Sequence, residues 1–123
     1  MGVERKHILV VDDDLSTLVY LQKLLLGAHY RVTAVENSNK ALKSVREDMP
    51  DIVVLDLIMP GMDGYALCTL LRRTEKFKAP ILVLSGRATE KDVQAATDAG
   101  AAAFLHKPVK SEELLAKVAE LLG

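Results

Sequence analysis

Ile52-Val53-Val54-Leu55-Asp56 runs directly into Leu57-Ile58-Met59-Pro60-Gly61-Met62-Asp63-Gly64. Four apolar residues, three of them β-branched, end on a carboxylate, and a Pro-Gly turn follows. A continuous apolar run this short reads as a strand buried on both faces, which is what a parallel sheet requires. Three further runs share the pattern: Ile8-Leu9-Val10-Val11, Ile81-Leu82-Val83-Leu84 and Ala101-Ala102-Ala103-Phe104-Leu105. Val32-Thr33-Ala34-Val35 is a weaker fifth strand, placed at an edge.

The intervening segments carry helical period. Leu114, Val118, Leu121 and Leu122 follow one apolar face, as do Leu18, Leu21 and Leu25, and Ala41, Leu42 and Val45. Thr89-Glu90-Lys91-Asp92 has the form of a capping box, and Gly27 and Gly100 stand where helices are expected to stop. The order is therefore β-α five times, with no linker or repeat. It predicts one doubly wound α/β domain over residues 1–123, helices on both faces and right-handed crossovers. The end at Leu121-Leu122-Gly123 suits a stand-alone protein or a piece of a longer one.

Composition narrows the function classes. Of 123 residues half are hydrophobic and 27% charged, with a formal net charge of −1. That balance argues against a direct non-specific grip on nucleic acid or acidic membrane. The densest basic group, Arg72, Arg73, Lys76 and Lys78, reads as a solvated helix end. No apolar stretch approaches the ~20 residues of a membrane span, and no signal-peptide pattern opens the chain. The single Cys68 excludes an internal disulfide, fits a reducing cytoplasm, and reads as a core residue.

In doubly wound sheets the site lies at the carboxyl ends of the strands. Asp12, Asp13 and Asp14 follow the first strand, Asp56 the third, Ser85 and Gly86 the fourth, and Lys107 and Pro108 the fifth. Complementary polar groups thus converge on one rim from four strands. Asp12, Asp13 and Asp56 bring a charge of about −3, which resists joint ionisation unless cations balance it. A hard, oxygen-ligated dication with the Lys107 ammonium supplies about +3. Mg2+ suits few protein ligands plus water and phosphate oxygens, and the lack of Cys or His makes Zn2+ a poor fit. Asp14 reads as a helix cap, Met59 and Met62 as packing residues, and Asp63 as support for the turn before the third helix. His7, His29 and His106 have no partners at metal spacing.

Taken together and in order, these motifs closely resemble the response-regulator receiver domains of two-component signalling, over essentially the whole chain. The resemblance implies a flavodoxin-like sheet of order 2-1-3-4-5. It implies Asp56 as phosphoacceptor, and Mg2+ held by Asp13 and Asp56 directly, by Asp12 through water and by the Ile58 backbone carbonyl. It implies Ser85 and Lys107 on phosphate oxygens, Phe104 as an aromatic switch, and a cis Lys107-Pro108 bond. The donor would be a histidine kinase or phosphotransfer protein. The output would be a downstream protein or domain, read from the fourth helix, fifth strand and fifth helix. Such a domain catalyses only its own phosphorylation and dephosphorylation. Ile58 and Arg87, two residues beyond Asp56 and Ser85, fall where the family tunes water access. Phe replaces Tyr at the switch, and Gly100-Ala101-Ala102-Ala103-Phe104 lacks the charge that many DNA-binding regulators use for dimer salt bridges. Two rivals stand beside this reading: a haloacid-dehalogenase-like phosphohydrolase, on Asp12-x-Asp14, and a pseudo-receiver that binds without accepting phosphate.

Overall fold

The computed structural model describes residues 5–59, 61–87 and 89–123. Five strands alternate with five helices: β1 (His7–Val11), α1 (Leu15–Gly27), β2 (Arg31–Val35), α2 (Ser38–Glu47), β3 (Ile52–Asp56), α3 (Gly64–Arg73), β4 (Ile81–Ser85), α4 (Glu90–Ala99), β5 (Ala103–His106) and α5 (Ser111–Leu122). All pairs are parallel and the order is β2-β1-β3-β4-β5, as expected. The chain therefore reverses direction across the sheet between β1 and β3, which opens a crevice at their carboxyl ends.

Alternate residues of the same strands feed two cores. Leu9, Val11, Val53, Leu55, Ile81 and Val83 pack against Ala41, Leu42 and Val45 of α2, Leu67, Cys68 and Leu71 of α3, and Ala96 of α4. Ile8, Val10, Ile52, Val54, Leu82 and Leu84 meet Leu18, Leu21 and Leu25 of α1, and Leu114 and Val118 of α5. β1, β3 and β4 are buried along their whole length, whereas β2 is only half-buried, because as an edge strand it has one neighbour. Its weaker apolar signal has that cause.

The helix starts follow their cap chemistry. Asp14, Asn37 and Asp63 each accept a backbone N–H three residues on, and Thr89 with Asp92 forms the expected reciprocal box. Gly100 ends α4 in the left-handed region at φ 111°. Gly27 is the last residue of α1, so that helix also stops where expected, but the left-handed residue beyond it is His29, at φ 71°. β5 also starts at Ala103 rather than Ala101, because the Ala101 N–H still bonds back to Ala96 O at 2.9 Å to close α4.

Arg72 corrects the expectation of a solvated basic helix end. Its guanidinium donates to Gly100 O at 2.8 and 3.1 Å and to Phe77 O and Ala79 O at 2.7 Å each, lying 5.7 Å over the Phe77 ring. It binds the α3–β4 connection to the end of α4. Arg72→Ala leaves three carbonyls short of a donor and is expected to cost about 2–3 kcal/mol in urea unfolding. A loss below about 0.5 kcal/mol would mean that water replaces the guanidinium without penalty.

Candidate functional site

The strand ends deliver the expected side chains to one rim. Asp12 follows β1 and is 2% exposed; Asp56 is the last residue of β3 and is 8% exposed. Asp13, one residue on, faces solvent. Carboxylate oxygens of Asp12, Asp13 and Asp56 lie within 4.8 Å of one another, the one such acidic or metal-ligating group among the described residues. Lys107 Nζ reaches in from the residue after β5, 2.7 Å from Asp12 Oδ2 and 3.5 Å from Asp56 Oδ2. Its closer partner is thus Asp12, a pairing across 95 residues of sequence that only the order of the strands creates.

The surrounding backbone fixes these groups. The Asp14 N–H donates to Asp12 Oδ1 at 2.9 Å, and the Ile58 N–H faces Asp56 Oδ1 at 3.4 Å. Lys107 N–H donates to Ser85 O at 2.8 Å, tying the lysine loop to the end of β4. The Lys107-Pro108 bond is cis, as expected. Gly64, the first residue of α3, crosses directly behind the end of β3 that carries Asp56. A Cβ there would lie 2.4 Å from Asp56 O and 2.6 Å from Leu57 Cα, so only glycine fits.

Burial pushes the Asp56 carboxyl above its ordinary range and the neighbouring Asp12 charge adds to this, while Lys107 acts in the opposite direction. Burial also disfavours the Lys107 ammonium, but Asp12 and Asp56 together outweigh it and hold the lysine above its ordinary value. The carboxylates carry −3 and the lysine +1, leaving about −2. The donor set is all oxygen, with no His or Cys in the group. Such a set fits a hard divalent ion of the Mg2+ type, which takes few carboxylates and completes its shell with water.

Ser85 is fully buried, and its Oγ accepts the Arg87 N–H at 3.1 Å. Phe104 is half-buried against the α2–α3–α4 core. His106 is exposed, and its Nε2 lies 3.2 Å from Gly86 O, so that nitrogen carries the hydrogen. Asp14 caps α1 through Thr17, and Cys68 is buried, its thiol pushed up to about 11. Pro60 lies outside the described residues. Sequence reasoning missed two features here. One is the close fit of Gly64, signalled only by its place after Asp63. The other is a polar cluster in which Asp92 accepts from Arg87 Nη2 at 3.1 Å and Tyr65 Oη at 3.2 Å.

Comparison with known proteins agrees with this arrangement. Residues 8–119 match the family model described as the response regulator receiver domain. The DNA-binding response regulator MtrA of Mycobacterium tuberculosis is 38% identical over 118 residues, covering 96% of this chain and 51% of MtrA. The response regulator MprA of Mycolicibacterium vanbaalenii is 43% identical over 116 residues, covering 94% and 50%. The chain thus spans about half the length of these relatives. The BeF3-activated N-terminal receiver domain of Klebsiella pneumoniae RstA superposes with a TM-score of 0.89 at 26% identity, covering 95% of this chain and 98% of that one. Order of strands, placement of the acidic rim and sequence kinship agree: this chain belongs to the response regulator receiver domain family of two-component signalling.

Proposed function

We propose that the domain accepts a phosphoryl group on Asp56, from a histidine kinase or phosphotransfer protein, and that Mg2+ is required. The observation that carries this is the meeting of the Asp12, Asp13 and Asp56 carboxylates with Lys107 Nζ at the end of β3. An Asp56 oxygen forms the new O–P bond in line. The P–N bond pair returns to the donor imidazole nitrogen, which takes up a proton from water. Lys107 lies close enough to follow an oxygen of the transferred group, and the Ser85 hydroxyl hydrogen-bonds another. Asp13 and Asp56 would hold Mg2+ directly, Asp12 through water and Ile58 by its carbonyl. When bound, the ion neutralises charge that builds on the phosphoryl oxygens. Water attacking phosphorus releases inorganic phosphate and restores the carboxylate.

The phosphoryl group would then favour the inward positions of Ser85 and Phe104, to be read from α4, β5 and α5 by a downstream protein or output domain. This unit, residues 1–123, would not itself contact nucleic acid. MtrA is described as DNA-binding, but it is about twice as long as the match. A net charge of −1 supports that division of labour. Among the described residues no helix is long and apolar enough to cross a membrane, in keeping with a cytoplasmic site of action. A dehalogenase-like role for Asp12-x-Asp14 is disfavoured, since Asp14 is engaged as the cap of α1 and Asp12 by Lys107.

The test is phosphorylation by acetyl phosphate, followed by intact mass. One phosphoryl adduct is expected with Mg2+ and at least about a hundredfold less with EDTA. Equal labelling in EDTA would remove the metal from the scheme.

A further inference from the structure

Arg87 is placed to do more than border the site. Its N–H donates to Ser85 Oγ at 3.1 Å, so its backbone stands one hydrogen bond from the hydroxyl assigned to a phosphate oxygen. Its guanidinium points the other way, onto Asp92 Oδ1 at 3.1 Å. The side chain is 63% exposed, so the pair is solvent-screened on the arginine side and contributes little. Asp92, at 11% side-chain exposure, is not left bare if Arg87 departs. Tyr65 Oη remains 3.2 Å from the same oxygen, and Thr89 donates to the other from Oγ1 at 2.8 Å and N at 3.3 Å. The Thr89 hydrogen bonds, with Arg87, hold the Asp92 carboxyl down to about 2.

Charge gives the arginine a destination. Three carboxylates, the lysine and a dication sum to about zero; replacing the Asp56 monoanion by a phosphoryl dianion leaves about −1. Lys107 is already committed to Asp12 and Asp56. The arginine stem is long enough to span from its own N–H to an oxygen bound by Ser85, and its fork matches phosphate geometry.

Resting on the phosphoacceptor reading, we propose that Arg87 is a second cation for the group on Asp56 and that Asp92 is the positioning residue that holds it away beforehand. Arrival of the phosphoryl group exchanges one partner for the other. Asp92, at the start of α4, thereby loses its tie to the loop that follows Ser85.

Beryllofluoride with Mg2+ is the probe, because its complex with a carboxylate carries the same dianionic charge as an acyl phosphate. Arg87→Ala is expected to weaken beryllofluoride affinity about tenfold, with Arg87→Lys recovering part of it. Asp92→Asn, which keeps shape and cap oxygen, is expected to tighten it severalfold, and Arg87→Ala in the same chain should erase that gain. Wild-type affinity in Arg87→Ala, or a gain in Asp92→Asn that persists without Arg87, would overturn the proposal and leave the phosphoacceptor reading intact. A wild-type chain that binds no beryllofluoride would overturn both.

Discussion

Asp56→Asn is expected to reduce phosphoryl incorporation at least about a hundredfold and, in the metal-free protein, to raise thermal stability at neutral pH. The first effect follows from losing the nucleophile. The second follows from burial, which dominates the upward shift of the Asp56 carboxyl over its ordinary value of 3.8. A carboxyl whose folded value is raised favours folding most when protonated. That contribution is present below its ordinary value and is lost as pH rises through the folded value. At pH 7 the ionised, half-compensated Asp56 therefore costs stability, and Asn removes the cost without changing the shape. An increase of about 1 kcal/mol, or roughly 3–6 °C in Tm, is expected at pH 7 in EDTA, shrinking as pH approaches 4. A variant equally or less stable than wild type across that range would mean that Lys107 fully compensates the buried charge.

Gly64→Ala is the second large effect. The added carbon would stand 2.4 Å from Asp56 O and 2.6 Å from Leu57 Cα, and both are backbone atoms that cannot rotate away. Either α3 lifts from β3, or the strand end bearing Asp56 is displaced. A loss of about 3 kcal/mol is expected, lowering the urea midpoint by roughly 2 M, with phosphoryl incorporation falling even where the chain is folded. Gly86→Ala is the control. It lies on the same rim with nothing within 4 Å of the added carbon, and little change is expected in stability. Equal behaviour of the two variants would mean that the crossing of α3 behind Asp56 tolerates more space than its distances allow.

Much of this molecule is legible in the order of its residues, for definite reasons. Buried parallel strands have no solvent face, so β1, β3 and β4 stand out as unbroken apolar runs, and the polar residues that end them mark the site. β2 is faint because an edge strand needs less apolar cover. Asp14, Thr89 and Asp92 were recognisable because caps act over three residues of sequence. Contacts made across the fold are another matter. Nothing local separates Arg72, which joins three carbonyls from the α3–β4 connection and the α4 end, from its exposed neighbour Arg73. Nor does any spacing say that Lys107 should sit nearer to Asp12 than to Asp56, since that follows from how β1, β3 and β5 sit around the crevice. The same holds for His7. Its ring is buried with Nε2 2.7 Å from Thr33 Oγ1 on the adjacent strand, a contact that no local spacing signals.

The central claim is that one carboxylate, at the end of β3, takes the phosphoryl group. Reduction of the freshly phosphorylated protein with borohydride converts an aspartyl phosphate into homoserine, and peptide sequencing by mass spectrometry locates it. Homoserine at position 56, dependent on Mg2+ and absent from Asp56→Asn, is the predicted result. Homoserine at position 12 or 13 of the unaltered chain, or none at any position, would contradict it.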